Sequence, residues 1–320
     1  MTASRLISRL ALPVMALAML ATVSHAQPSN LTGKVVFAGE GKATTFAFDW
    51  QNGMIFVPVR MNGSRTLSFV LDSGSARMLI DRAVANSLGL QASGSGSLQG
   101  AGSGRIAVEY IHDVSITLPG VESGRYDLST ADLQPLEATL GVKVDGILGY
   151  EFFNRFVVTV DFRAKTLTLT LPEFFRESSA AEMLPIEVKD KWAFVKAELV
   201  LPGTVTVQDS FMIDSGSSDA VDHPIVMKLQ SRVASESGVG LGEPVQGATA
   251  RATSFRLGRY TLNAPNVSCC GATDATSKMI GTEVLRRFTV TFDYPASPIF
   301  ITPNSSFGET FALGADQSHH

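Results

Sequence analysis

Cysteine and histidine are scarce in this sequence. Cys269 and Cys270 are the only cysteines in 320 residues, and adjacent cysteines rarely bond to each other because the ring they close is strained. Disulfides therefore do not staple this fold, and a small buried pair is the simplest interpretation. Beyond residue 26 the histidines are His112, His223 and two at the C-terminus, a poor set for zinc. We expect no metal and no other cofactor.

Several catalytic and binding motifs are also absent. The chain contains no Gly-x-Ser-x-Gly sequence, and only His112 and His223 could serve as the base of a serine hydrolase. Dinucleotide and phosphate-loop fingerprints do not occur either, although the chain has 28 glycines. These absences argue against a serine hydrolase and against a nucleotide-binding protein.

Long apolar runs are missing except at the N-terminus, where residues 1–26 resemble a signal peptide. Arg5 and Arg9 precede an apolar run at 10–23, and the small residues Ser24 and Ala26 suit signal peptidase. A membrane anchor is the alternative, but the run is short and lacks a stop-transfer pattern. We predict export to the periplasm or the medium, with no membrane attachment after cleavage.

Positive charge is also in deficit. The chain has 26 basic and 30 acidic residues, and removal of Arg5 and Arg9 leaves 24 against 30, a net charge of −6. A mildly acidic surface gains nothing from nucleic acid or an anionic membrane. We therefore expect neither as a partner.

What remains reads as two copies of one β-rich unit. Apolar residues alternate in short segments broken by Gly, Asn and Pro, which is typical of strands. Two segments, FVVTVDF from Phe156 and FTVTFDY from Phe288, match at an offset of 132 residues. Each half also has a predicted short helix, at Asp81–Leu88 and Ile225–Val233.

The domain boundaries follow from this repeat. We predict a signal peptide at 1–26, an N-terminal lobe at 27–172, a linker at 173–182, a C-terminal lobe at 183–305 and a tail at 306–320. The linker is the stretch where the apolar alternation lapses and charged residues collect.

An Asp-Ser-Gly triplet ends one strand in each copy. FVLDSGS surrounds Asp72 and FMIDSGS surrounds Asp214, 142 residues later. A carboxylate at the end of a buried strand is costly unless it is paired or used. Two close carboxylates cannot both ionise, so one can act as a base toward water while the other hydrogen-bonds a carbonyl. The alternative is that each Asp caps the next turn.

The residues after each Asp suit a shared site. Gly74 and Gly216 allow a tight turn and a close approach behind the carboxylates. The hydroxyls of Ser73 and Ser215 can bond across a pseudo-twofold axis and lock the two loops together.

These motifs resemble those of aspartic proteases of the pepsin and retropepsin superfamily, and most closely the exported retropepsin-like proteins. The resemblance spans residues 54–303. It rests on VPVRMNG, FVLDSGS and DGILGYEFF in the first half, and on FMIDSGSS and the weaker MIGTEVLRRF in the second.

The resemblance implies a mostly β, bilobal pepsin/retropepsin-like acid protease fold with a cleft between two pseudo-twofold-related lobes. It implies that Asp72 and Asp214 form the catalytic dyad, braced by Ser73 and Ser215, and that the substrate is a peptide or protein. Since both halves lie in one chain, a monomer is expected.

The resemblance further implies a flap over the cleft. The Gly- and Ser-rich stretch 93–104 has no tyrosine and is similar to the retroviral kind of flap. Its candidate residues are Gln99, Gly100, Ala101 and Gly102. A plain mobile hairpin is the alternative, and the Gly-rich stretch 238–247 could serve equally well.

Ser75 and Ser217 carry a further expectation. In the pepsin branch a hydroxyl at this position can donate to the outer oxygen of each catalytic carboxylate. Donation to the charged form lowers a carboxylate pKa. We therefore expect an acidic pH optimum.

A binding protein is the main alternative to an enzyme. The family usually has Thr after the catalytic Asp, whereas this chain has Ser in both copies, and Met-Ile-Gly in the second half is a thin match. The predicted function is an exported aspartic endopeptidase. The alternative is a catalytically inactive peptide-binding or inhibitory protein of the same fold.

Overall fold

The computed structural model describes residues 31–99, 105–237, 245–269 and 278–312, and these residues are mostly β. The predicted signal peptide at 1–26 lies outside these residues. Among the helices of these four ranges, none combines the length and the apolar character needed to cross a membrane.

The first half of the described chain forms one large sheet and contributes strands to a second. Its elements are β1 Val36–Phe37, β2 Ala43–Ala47, β3 Asp49–Gln51, β4 Met54–Met61, β5 Leu67–Leu71, β6 Leu79–Asp81, α1 Arg82–Ser87, β7 Ser95–Gln99, β8 Arg105–Leu118, β9 Val121–Ala131, α2 Gln134–Leu140, β10 Gly146–Leu148, α3 Tyr150–Phe153, β11 Val157–Asp161 and β12 Thr166–Thr170.

The second half begins with a 3₁₀ helix at Pro172–Phe174. Its other elements are β13 Glu182–Lys189, β14 Trp192–Leu201, β15 Val205–Ile213, β16 Val221–Asp222, a 3₁₀ helix at Pro224–Lys228, β17 Val233–Ser237, β18 Val245–Arg251, β19 Ser254–Leu257, β20 Tyr260–Asn263, β21 Asn266–Cys269, β22 Met279–Ile280, α4 Thr282–Leu285, β23 Phe288–Phe292 and β24 Pro298–Pro303.

The strand that leads into each Asp-Ser-Gly triplet lies inside its sheet. β5 is bonded on one side to β4 and on the other, in parallel, to β10; β15 lies likewise between β14 and β22. The last residues of both strands, at 69–71 and 211–213, are apolar and buried. A central strand with two buried faces reads as a continuous apolar run, and it delivers Asp72 and Asp214 into the interior.

The two halves share further strand pairings. β6 pairs in parallel with β9 and antiparallel with β10, and β16 does the same with β21 and β22. Each half also has a hairpin next to this unit, formed by β7 with β8 and by β17 with β18. The bilobal, mostly β fold class predicted from the sequence is therefore confirmed.

Six consecutive strands of the second, 15-stranded sheet join the two halves. Their order is β2, β12 and β11 from the first half, then β23, β24 and β13 from the second. At the centre of these six strands Thr159 on β11 lies opposite Thr291 on β23, and their Oγ1 atoms share a 2.9 Å hydrogen bond. These two residues are 132 apart, so the central pair consists of equivalent positions of the repeat.

The helix predicted at Ile225–Val233 is wrong. In the first half the Asp81 carboxylate caps α1 by accepting from the Val84 N–H. In the second half the His223 imidazole accepts from the Ile225 N–H and closes only a 3₁₀ helix at Pro224–Lys228. The β-branched Ile and Val after Pro224 favour a helix less than the alanines of α1 do, and the chain soon becomes extended.

The described part of the predicted tail packs on the second lobe. Phe311 is buried, and its carbonyl accepts a 2.7 Å hydrogen bond from Arg251 Nη2. Residues 306–312 are therefore part of the packed structure.

Candidate active site

Two buried loops bring Asp72 and Asp214 together. The Asp72 N–H donates to the Leu148 carbonyl at 3.0 Å, and the Asp214 N–H donates to the Ile280 carbonyl at 2.9 Å. Leu148 and Ile280 end β10 and β22, the strands that carry the apolar segments named above. Both Asp side chains have no exposed surface.

Four hydrogen bonds cross between the loops through Ser73 and Ser215. Each serine N–H donates to the hydroxyl of the other at 2.9 Å. The Ser73 hydroxyl then donates to the Ile213 carbonyl at 2.8 Å, and the Ser215 hydroxyl donates to the Leu71 carbonyl at 2.9 Å. The network is symmetric, and each hydroxyl is saturated as acceptor and donor by the opposite lobe.

Gly74 and Gly216 let the carboxylates meet. Each glycine N–H donates to Oδ1 of its own Asp at 2.8 Å. A Cβ added to Gly74 would overlap the Asp214 carboxylate, and one added to Gly216 would overlap the Asp72 carboxylate. Each carboxylate thus rests on the backbone of the opposite loop, in a space that a larger residue would fill.

The two carboxyl groups have different proton affinities. Burial raises the pKa of Asp72 well above its usual range, and the charge of Asp214 and a hydrogen bond to it raise it further. Burial also raises the pKa of Asp214, to about 6, against the lowering effects of the Gly216 N–H and of the hydrogen bond from Asp72. Burial and mutual repulsion therefore keep one proton on the pair at pH values where a free carboxyl group is ionised.

Asp219 is a third carboxylate near the pair, and the sequence analysis missed it. It lies five residues after Asp214 and is half-buried. Burial and the charge of Asp214 raise the pKa of Asp219 to about 7. An acidic residue in the segment directly after the triplet was the available signal.

Two aromatic side chains of the second lobe support the first Asp-Ser-Gly loop, and the sequence analysis missed these as well. Trp192 Nε1 donates to the Gly74 carbonyl at 2.9 Å, and the Tyr294 hydroxyl donates to the Ser73 carbonyl at 3.3 Å. Buried tryptophan and tyrosine need a partner for their polar atom. Here the partner is the backbone beside Asp72.

Ser75 and Ser217 differ from their predicted role. The Ser75 hydroxyl donates to the Arg77 carbonyl at 2.8 Å, so its proton does not reach the Asp72 carboxylate. The Ser217 hydroxyl accepts from the Asp219 N–H at 3.3 Å. Both hydroxyls are bonded to the backbone two residues on, and so stabilise the local turn. The acidic optimum expected from donation to the dyad loses its basis.

The flap prediction stays a prediction. Gln99 is the last residue of β7, while Gly100, Ala101 and Gly102 lie outside the described residues, as do most glycines of the 238–247 stretch. In the four ranges that the structure covers, no group of His, Cys, Asp and Glu is arranged to hold a metal ion.

The bilobal β architecture with its paired loops is an aspartic-protease-like fold. A family model described as "Aspartyl protease" matches residues 57–152, from β4 to α3, and so contains Asp72 and the β10 segment behind it. This match supports a relationship to that family for the first lobe. No curated protein matches the chain.

Proposed function

We propose that this chain is an exported aspartic endopeptidase that hydrolyses peptide bonds with a water activated between Asp72 and Asp214. One observation carries the proposal: the two carboxylates are buried together, each on the glycine of the opposite loop. A structural cap needs neither a second carboxylate nor this close approach.

Each carboxyl group has a separate role in the proposed reaction. Ionised Asp214 takes a proton from the water while the water oxygen forms a bond to the peptide carbonyl carbon. Protonated Asp72 hydrogen-bonds the carbonyl oxygen and stabilises the charge that develops there. The tetrahedral intermediate then loses the amine as the peptide nitrogen takes that proton from Asp214, which leaves a carboxylic acid, an amine and Asp214 ionised again.

The raised pKa values of the pair support a working pH range above the acidic one first expected. The pair must carry one proton, which requires a pH near or above the pKa of Asp214, about 6, and below that of Asp72. We expect an optimum between mildly acidic and neutral pH.

Three other observations support the proposal. The aspartyl protease match covers the first triplet. The first 26 residues have a signal-peptide pattern, which is the basis for export. Both carboxylates come from one chain, which is the basis for a monomer.

Cleavage of a diverse peptide library by the purified exported protein between pH 4 and pH 8 tests the proposal. Asp72→Asn and Asp214→Asn serve as paired variants, with folding checked by thermal melting. Cuts by the wild type that disappear in both variants would support the shared dyad.

No cuts from a folded wild-type protein would overturn catalysis. Peptide binding without cleavage would then favour the inactive binding protein. Cuts that survive in either variant would assign the activity to another site.

A further inference from the structure

Arg77 and Asp219 occupy equivalent positions in the two catalytic loops. Each lies five residues after its Asp, and they are 142 residues apart, the same offset as Asp72 and Asp214. Their backbones are placed alike, since a Cβ added to Gly149 would overlap the Arg77 carbonyl. The same addition at the equivalent glycine of lobe two, position 281, would overlap the Asp219 carbonyl. The local axis passes between the paired loops, so the two residues flank the dyad on opposite sides.

Arg77 extends from the first loop toward the β7–β8 hairpin. Its guanidinium carbon lies 5.8 Å from the ring centre of Tyr110 on β8. Its Nε is buried and has no hydrogen-bond partner among the described residues. A buried donor without a partner costs free energy, and a ligand carboxylate is the partner that suits a guanidinium best.

Asp219 lies at the equivalent place on the other side and carries the opposite charge when it ionises. Its N–H donates to the Ser217 hydroxyl at 3.3 Å, so it directly follows the second Asp-Ser-Gly turn, and it is only half-buried, so a ligand can reach it. No salt bridge joins it to a cation within the ranges that the structure covers. A cation supplied by a ligand would favour its ionised form.

We propose that Arg77 and Asp219 make the cleft charge-polarised, so that it selects peptides with an acidic side chain on one side of the scissile bond and a basic side chain on the other. This inference rests on the proposed function and names the substrate class for the same site. Arg77 alone would favour an acidic side chain in the peptide, and Asp219 alone would favour a basic one. Together they favour one order of the acidic and the basic side chain along the peptide.

Two peptides of the same composition test the order. Both peptides contain the same cleaved residue pair, identified with the library. The first peptide has Glu before this pair and Lys after it, and the second has Lys before it and Glu after it. We expect the wild type to cleave one order about ten- to hundredfold better in kcat/KM, the range for a partly desolvated charge contact.

Three variants assign the preference to its residues. Arg77→Gln should remove discrimination between Glu and Gln in the peptide, and Asp219→Asn should remove discrimination between Lys and Gln. The double exchange of Arg77→Asp with Asp219→Arg should reverse the preferred order. Arg60→Gln, on β4 with its guanidinium bonded to the turn at Gly63 and Ser64, is the control and should change nothing.

Equal cleavage of the two peptides would overturn the inference and leave the proposed function intact. If the wild type cleaves neither peptide nor the library, the proposed function fails. In that case calorimetry measures the affinity of the wild type for each of the two peptides, which tests the preference for charge order without cleavage. An affinity difference of tenfold or more that Arg77→Gln abolishes would sustain the inference, and equal affinities would overturn it.

Discussion

The two Asp-Ser-Gly loops have the same hydrogen bonds but different supports. The first loop receives Trp192 and Tyr294 from the second lobe on its backbone carbonyls. The second loop is contacted instead by the turn before β4, where Gly53 packs against Ser218 and its carbonyl accepts from Thr282 Oγ1 at 2.7 Å. One loop is held by aromatic donors and the other by a backbone turn.

The difference shows which parts of the repeat can diverge. The parts kept alike in both lobes hold the two Asp-Ser-Gly loops in place: the reciprocal hydrogen bonds of Ser73 and Ser215, the glycine contacts with the carboxylates, and the bonds from the N–H groups of Asp72 and Asp214. The parts that differ are the side chains and the turn that contact these loops from outside, further from the carboxylates. An ion pair from Lys191 to buried Glu151, 2.9 Å long, is another such outer contact, and it too reaches from lobe two to lobe one.

The largest expected effect tests the symmetric part. Ser73→Ala leaves the Ser215 N–H and the Ile213 carbonyl buried without partners, and Ser215→Ala does the equivalent in the other direction. Each orphaned group costs about 1–3 kcal/mol, so each variant should lose about 2–6 kcal/mol in urea unfolding.

The two losses should be similar, and the double variant should lose less than their sum because both serines belong to one network. Ser73→Thr keeps the hydroxyl and is the control. A large loss from one alanine with tolerance of the other would break the symmetry.

The next effect separates the two carboxyl groups by pH. The folded pKa of Asp214 is raised from 3.8 to about 6, so ionisation costs stability as the pH rises through this interval, and below it the cost is absent. Asp214→Asn should therefore match the wild type at pH 3.5 and exceed it at pH 7 by roughly 2–3 kcal/mol. Thermal melting across this range measures it, and equal stability at both pH values would contradict the buried pair.

Trp192→Phe tests the support that only the first loop has. The ring is kept, but the Gly74 carbonyl loses its donor, so we expect a loss of about 1–3 kcal/mol in stability and a lower kcat with little change in KM. Trp50→Phe is the matched control, since Trp50 is half-buried on β3 against Phe162. Equal effects of the two changes would mean that ring packing alone matters.

The smallest effect belongs to Ser75 and Ser217. Since neither hydroxyl is bonded to a carboxylate here, Ser75→Ala and Ser217→Ala should each cost about 1 kcal/mol or less and leave the pH–rate profile in place. A profile whose acidic limb moves upward in the double variant would restore the role first predicted for them.

Short-range patterns predicted much of this structure. The alternation of apolar residues predicts strands at Met54–Met61, Trp192–Leu201 and Val205–Ile213, and β4, β14 and β15 have these bounds, because alternation and turn residues act within a few positions of the strand. The hydrogen bonds between Ser73 and Ser215 were also predictable, because two identical triplets at equivalent places of a repeat are expected to meet symmetrically.

Contacts without a local pattern were not predictable. Trp192 reaches Gly74 across 118 residues, and Tyr294 reaches Ser73 across 221. Nothing near either aromatic residue in the chain indicates its partner. The error at Ser75 has a different cause, because a rotatable hydroxyl bonds to whichever acceptor the turn brings nearest.

The sheet between the lobes has a consequence for behaviour on dilution. β11 and β23 are bonded to each other around Thr159 and Thr291, and both strands belong to the same chain. A site shared by two separate subunits falls apart once their concentration drops below the dissociation constant. Here the partner strand is tethered at a high effective concentration, so the pair of carboxylates stays assembled in a solution of any dilution.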